Sequence, residues 1–198
     1  MPEKIIVLKD KIHIIWLTSI YELVTNPTKA WERLKRLSEG RKTPIFKAMI
    51  ISILMAGLIN CVITSFVSTE FDFLRGIKSG TTIIFSLFIS VYITAFINII
   101  SYESLTKQPA RLNEIYNYTT ITYSITFLVY AFEPLISFIF FYKAALIYTF
   151  VVAWIGTEKF MEFPNDNRFI FTTICGFVVI FAPTVISKLL TYLMPGLL

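Results

Sequence analysis

The sequence predicts an all-α fold, a polytopic membrane helix bundle of five transmembrane helices preceded by cytoplasmic amphipathic helices. Three observations predict it. Hydrophobic residues make up 56% of the 198 residues and charged residues only 16%, against roughly 45–50% and 25% in soluble domains. After about residue 44 the apolar residues fall into long runs almost free of charge. The formal net charge of +5 belongs to the first 47 residues, which hold ten Lys/Arg and five Asp/Glu, while the remainder holds eight of each. A basic segment beside an apolar domain points to anionic lipid headgroups or an acidic partner, with no need for nucleic acid.

The chain divides into an N-terminal helical segment, 1–43, and a transmembrane domain, 44–198. In the first, Ile12, Ile15, Trp16, Ile20, Leu23 and Val24 recur at helical spacing. Asn26-Pro27 then reads as an N-cap followed by proline in the first helical position. The second helix runs to Glu39 and stops at Gly40. Its apolar face is Ala30, Trp31, Leu34 and Leu37, bordered by Lys29, Arg33, Lys35 and Arg36. That pattern suits a helix in the headgroup layer, or a solvated helix packed on its neighbour. The first long apolar run starts too late for a cleavable signal peptide.

A transmembrane helix needs ~20 apolar residues to cross ~30 Å of hydrocarbon. Residues 46–67, 81–100, 115–132, 135–156 and 169–190 supply five such segments. The third and fourth divide at Glu133-Pro134; if the chain instead continues through Pro134, the turn falls near Lys143. Pro183 is placed to kink the fifth. Orientation follows from the positive-inside rule. A cytoplasmic N-terminus puts fourteen basic residues inside, including Lys107, Arg111, Lys159 and Arg168. Only Arg75, Lys78, Lys188 and Lys143 are left for the outside. With five spans, the C-terminus lies outside.

Small or hydroxyl residues recur every four positions within the spans. The first has Ser52, Ala56, Asn60 and Thr64; the second has Thr82, Ser86, Ser90, Thr94 and Asn98. The third has Thr119, Thr122, Thr126 and Tyr130, and the fourth Ala145, Thr149 and Ala153. Lipid does not drive helices together by the hydrophobic effect, so close approach and interhelical hydrogen bonds must. The stripes therefore read as packing seams; the alternative is a polar path for a solute along the second span. Among charges, Lys143 either snorkels to the outer surface or pairs inside the bundle, with Glu133 ten residues earlier at the turn.

No catalytic signature is present: there is no G-x-S-x-G, G-x-x-x-x-G-K or H-E-x-x-H. His13 is the only histidine, so no multi-histidine metal site is possible, and Cys61 and Cys175 fall in apolar stretches. The expectation is a non-enzyme with no cofactor.

The layout resembles a known family. Asn26-Pro27-Thr28-Lys29-Ala30-Trp31-Glu32-Arg33-Leu34 resembles the opening motif of prokaryotic Yip-family proteins, named for Ypt (Rab) GTPase interaction. In those proteins Pro is followed by Trp or another aromatic and then by charges, ahead of five spans. Tyr92-Ile93-Thr94-Ala95-Phe96 resembles the end of the family's second span. Thr122-Tyr123-Ser124-Ile125-Thr126 resembles its A-Y-S-x-T-P element, with Phe127 where proline is usual. Tyr148 to Gly156 resembles the close of the fourth span, and Phe163-Pro164-Asn165-Asp166 the loop after it. The resemblance implies a five-helix bundle with a cytoplasmic N-terminus and no known catalysis. Eukaryotic members bind Rab GTPases, but the sequence elements of that role are not visible in this chain.

The resulting functional expectation is a membrane scaffold or adaptor, in the cell (inner) membrane if the source is prokaryotic. It would use Pro27, Lys29, Trp31, Arg33, Leu34, Lys35 and Arg36, within the segment to Arg41, to meet anionic lipids and a protein partner. Trp31 and Leu34 would dip into the headgroup layer. The alternatives are a small transporter or channel subunit using the second-span stripe, and an accessory subunit of a larger membrane complex.

Overall fold

The computed structural model describes residues 18–39, 44–67, 71–135 and 139–193. The first helical pattern's Ile12, Ile15 and Trp16, the stop at Gly40, and Arg41 lie outside them. Residues 18–25 are helical. They are followed by α1 (Pro27–Glu39), α2 (Pro44–Val67), α3 (Phe73–Thr106) and α4 (Leu112–Phe132). A 3-10 turn over Glu133–Leu135 separates α4 from α5 (Ile139–Lys159), and α6 (Asn165–Leu193) ends the described chain. No strand occurs among the described residues.

Local chemistry sets the helix ends. The Asn26 side chain accepts from the Lys29 backbone N–H at 3.3 Å, so the cap precedes Pro27. Asp72 caps α3 in the same way, accepting from Arg75 N–H at 2.9 Å. Lys107 closes α3 in the left-handed region (φ 57°), its N–H bonded to the Glu103 carbonyl. These caps lengthen α3 beyond the apolar segment 81–100. Its 34 residues reach about 51 Å at 1.5 Å per residue. The last helix runs through Pro183, and the Ser86 hydroxyl donates to the Pro183 carbonyl at 2.7 Å.

Among the described residues, three helices are long and apolar enough to cross a membrane by length and composition: α2, α3 and α6. Each turns an apolar stripe outward, such as Leu58, Val62 and Phe66 on α2 or Phe177, Phe181 and Val185 on α6. The expected third span, now α4, differs for a physical reason. Its ten residues Tyr118–Phe127 are all buried, so neighbouring helices cover it on every face. A helix shielded from lipid can carry Thr119, Thr120, Thr122, Ser124 and Thr126, all buried, without facing hydrocarbon. The chain builds the bundle around this polar helix.

Between α2 and α3 the backbones approach closely at Gly57 and Gly80. A Cβ added at Gly80 would lie 2.6 Å from the Gly57 carbonyl oxygen and 2.7 Å from Cys61 Cβ. Neither atom can swing away, so only glycine fits. Gly80→Leu is therefore expected to cost about 1–3 kcal/mol by overpacking, read as a lower thermal unfolding midpoint in mild detergent. Leu58→Ala, on the outward face, should change the midpoint far less. Equal midpoints for G80L and the parent would contradict the close packing of α2 on α3.

Candidate functional site

The charged segment that the sequence marks is folded onto the bundle through its own apolar face. Ala30 and Trp31 are fully buried and Leu34 nearly so. The Trp31 indole N–H donates to the Val152 carbonyl of α5 at 2.9 Å. Its ring stacks on Tyr118 of α4, centroids 5.6 Å apart and 26° between planes, and tilts against Phe160 at 5.4 Å. Gly156 leaves the space: a Cβ there would collide with the indole. Tyr118 is in turn held by its hydroxyl, which donates to the Ala153 carbonyl at 3.1 Å and meets Thr157 Oγ1 at 2.9 Å. The hydroxyl of Tyr148, on α5, bonds the Leu23 and Val24 carbonyls at 3.2 and 3.1 Å, so the helical residues 18–25 are tied to α5 as well.

This packing corrects the expectation that Trp31 and Leu34 dip into the headgroup layer. Both side chains are buried in the protein, and the indole N–H already has a partner. Two of the cations are also taken up by the protein. Arg33 bonds Glu22 at 2.6 Å and Thr18 at 3.0 Å; Lys35 pairs with Glu162 in the loop between α5 and α6. The hydrogen bond from Lys35, and then its charge, hold the Glu162 carboxyl below the usual carboxylate range. Lys29, Glu32, Arg36 and Leu37 remain exposed, and with Glu22, Asn26 and Arg33 they line a half-open cleft of ≈ 630 Å³. Pro27 starts the helix that carries them.

The polar stripe of α3 forms a seam inside the bundle. Ser86, Ser90, Thr94 and Asn98 are all fully buried. Ser90 and Thr94 donate to the carbonyls one turn back, at 2.6 and 2.8 Å. Thr94 also meets the Tyr123 hydroxyl at 2.8 Å, and the Asn98 amide donates to Thr119 at 3.0 Å. On α2, the Asn60 amide donates to the Tyr130 carbonyl at 3.0 Å, and its oxygen accepts from Ser79 at 2.7 Å and Thr64 at 3.3 Å. Ser86, Ser90 and Thr94 are thus buried and hydrogen-bonded within the bundle. A separate cleft at the far end of the bundle includes Thr82 and Ile83 but none of those three. Glu133 lies in that cleft; Lys143 is in α5, but its side chain is outside the described residues.

Four of the sequence motifs meet in two pairs across long separations, and the fifth packs on α3 and α6. Trp31 of the opening motif sits on Gly156 of the fourth-span motif. Thr94 of the second-span motif bonds Tyr123 of the third. Phe163 of the last motif stacks on Phe171 at 4.7 Å and meets Tyr102 edge-on. Tyr118, Phe160 and Glu162 complete the docking site and were not singled out from sequence. Tyr118 lies in a run of Thr and Tyr that offers no spacing signal for a long-range partner.

Two outcomes are expected from this geometry. Trp31→Ala removes a fully buried aromatic and should destabilise the α1 contact by about 3–5 kcal/mol. Trp31→Phe keeps most of the ring contact but loses the indole bond, costing about 1 kcal/mol. Hydrogen exchange of residues 27–39 should rise in W31A while α3 stays protected; unchanged exchange would contradict the docking. The ion pair adds a pH dependence. A carboxyl lowered in the folded state contributes above its ordinary pKa of ~4.3 and loses that contribution as pH falls through the folded value, so exchange of α1 should increase below about pH 4. In Glu162→Gln that acid step should be smaller; an identical step would exclude the pair as its source.

Compared with known families, the chain matches the Yip1 domain over residues 21–186. The match begins in the helical turn before α1 and ends in α6, so it takes in the docked helix together with the bundle. No curated protein and no solved structure matches it. A match over this much of the chain shows the family, and the protein belongs to the Yip1 domain family of membrane proteins.

Proposed function

We propose that this protein is a non-catalytic, five-span scaffold of the cell membrane that presents the outer face of α1 to anionic lipid headgroups and to a protein partner. The observation that carries the reading is the docking of Trp31. It turns Lys29 and Arg36 outward on a helix that is fixed to the bundle, so a bound surface is held at a set position relative to the membrane domain. The charge distribution supports it, because the whole formal excess lies in the segment that includes this helix.

The topology belongs to the same proposal. Five spans place α1 and the loops after α3 and α5 on one side, and the pairing of Lys35 with Glu162 agrees with that grouping. Lys107, Arg111, Lys159 and Arg168 join α1 there, which by the positive-inside rule is the cytoplasmic side. The C-terminus then lies outside. α4 and α5, each 21 residues long, are about 31 Å at 1.5 Å per residue, long enough to cross.

The test uses the full chain in proteoliposomes, with a fluorophore on Leu37→Cys in a background whose Cys61 and Cys175 are alanine. Quenching by brominated lipid is expected to be stronger for anionic than for neutral headgroups. The difference should shrink with salt, because attraction at a surface is screened over ~8–10 Å at ordinary ionic strength. Lys29→Gln with Arg36→Gln should abolish the anionic preference. Quenching indifferent to lipid charge and salt would reject the headgroup contact.

A further inference from the structure

The α2–α3 hairpin turns at the end of α2 opposite the one that follows α1, and it carries an aromatic cluster there. The Phe66 and Phe71 ring centroids are 5.1 Å apart, and those of Phe71 and Phe73 are 6.4 Å apart with 17° between planes. These three rings and Leu74 are each more than half exposed. Local bonds build the tip. The Asp72 N–H donates to the Ser65 carbonyl at 3.3 Å, tying the entry of α3 to the end of α2. Gly76 keeps the two helices in contact behind it, since a Cβ there would collide with Ser65 Oγ and the Cys61 carbonyl. Asp72, between Phe71 and Phe73, turns its carboxylate back onto the Arg75 N–H at 2.9 Å.

The cluster is continuous with a surface that faces lipid. Leu58, Val62 and Phe66 form the outward stripe of α2, and Phe66 is the ring on which Phe71 packs. Stripe and tip make one exposed apolar surface, of the kind that marks an interaction site. Length sets the depth. Residues 73–100 of α3 measure about 42 Å at 1.5 Å per residue, more than the ~30 Å of hydrocarbon but matched to the ~40–45 Å that includes both headgroup layers. Ser101 and Glu103 follow at the other end. The tip therefore falls at headgroup level, where a phenyl ring gains by turning toward the acyl chains and a cation keeps its charge among the phosphates. Arg75, exposed about one turn after Phe71, is placed for that.

We infer that this tip is a lipid-contacting wedge, with Phe66, Phe71, Phe73 and Leu74 seated ~5–10 Å into the headgroup–acyl boundary of the leaflet opposite α1. Its partner is the lipid surface, recognised by apolar contact and not by headgroup charge. The turn between α2 and α3 is thus a membrane contact and not a solvated loop. Because the tip is bonded to the end of α2 and caps the start of α3, its depth sets the position of both helices along the membrane normal. The contact is independent of the one proposed for α1, which depends on Lys29 and Arg36.

The full chain in proteoliposomes, with a fluorophore on Leu74→Cys in a background whose Cys61 and Cys175 are alanine, tests the assignment. Bromine carried near the glycerol end of the acyl chains is expected to quench the label more than bromine at the chain ends, and aqueous iodide should quench it little. Headgroup charge and salt should leave this pattern unchanged, as should Lys29→Gln with Arg36→Gln, so the α1 contact can fail without it. Phe71→Ser with Phe73→Ser should lower the shallow quenching about twofold or more and open the label to iodide. Both side chains are exposed, so the core is not disturbed, and the parent measurement decides the matter alone if that variant is not recovered. Free access of iodide to the parent label, quenching that follows headgroup charge, or parent-like quenching in the double variant overturns the inference. Protection from both bromine and iodide that disappears as the protein is diluted in lipid would assign the tip to a second copy and overturn it as well.

Discussion

The amino-terminal half of the structure depends on one joint, where α1, α4 and α5 meet. A fully buried indole is stacked on Tyr118 and bonded to the Val152 carbonyl, over a glycine that has no side chain to obstruct it. Each part presupposes the others. Without the Thr157 and Ala153 bonds Tyr118 would carry an unsatisfied hydroxyl in a low-dielectric interior, a cost of about 1–3 kcal/mol. Without Tyr118 the indole would lose its stacking surface. The outward face of α1, and with it the positions of Lys29 and Arg36, follows from this contact.

The joint continues a polar seam that runs through the bundle. Thr157 accepts from Thr172 of α6, Thr119 of α4 accepts from Asn98, and Thr94 meets Tyr123. Lipid-facing surfaces are left apolar while hydroxyls and amides turn inward, where a hydrogen bond between helices supplies the association that water cannot drive. α4 is the extreme case, since its residues Tyr118–Phe127 are all buried and include five Thr and Ser. The same arrangement explains why a stripe of Ser and Thr in α3 is compatible with a closed interior: each hydroxyl is spent on a neighbouring carbonyl or side chain.

Much of this was legible in sequence, for identifiable reasons. Asn26-Pro27 is a local signal, and the cap is where that chemistry requires it. Long apolar runs marked α2, α3 and α6, and Glu133-Pro134 marked the break between α4 and α5. The length of α3 was underread because residues 73–80 and 101–106 are mixed in polarity, and only the Asp72 and Lys107 caps extend the helix through them. The destination of Trp31 was not legible. An amphipathic helix with a tryptophan has the same pattern whether it faces headgroups or a neighbour, and the deciding partner, Val152, is 121 residues away. Likewise Glu133 is marked by its sequence position, but the cleft around it exists only once α2, α3 and α6 are assembled.

Docking through an aromatic anchor separates two tasks on one short helix. The inner face fixes α1 to the bundle; the outer face remains for contacts made at the membrane surface. The most direct measurement of that division is proton exchange at the Trp31 indole nitrogen in the intact protein, resolved by NMR from Trp16 and Trp154. A buried N–H bonded to Val152 should exchange far more slowly than a solvated indole. Exchange at the rate of a solvated indole would mean that Trp31 is not docked, and the account of α1 would fail with it.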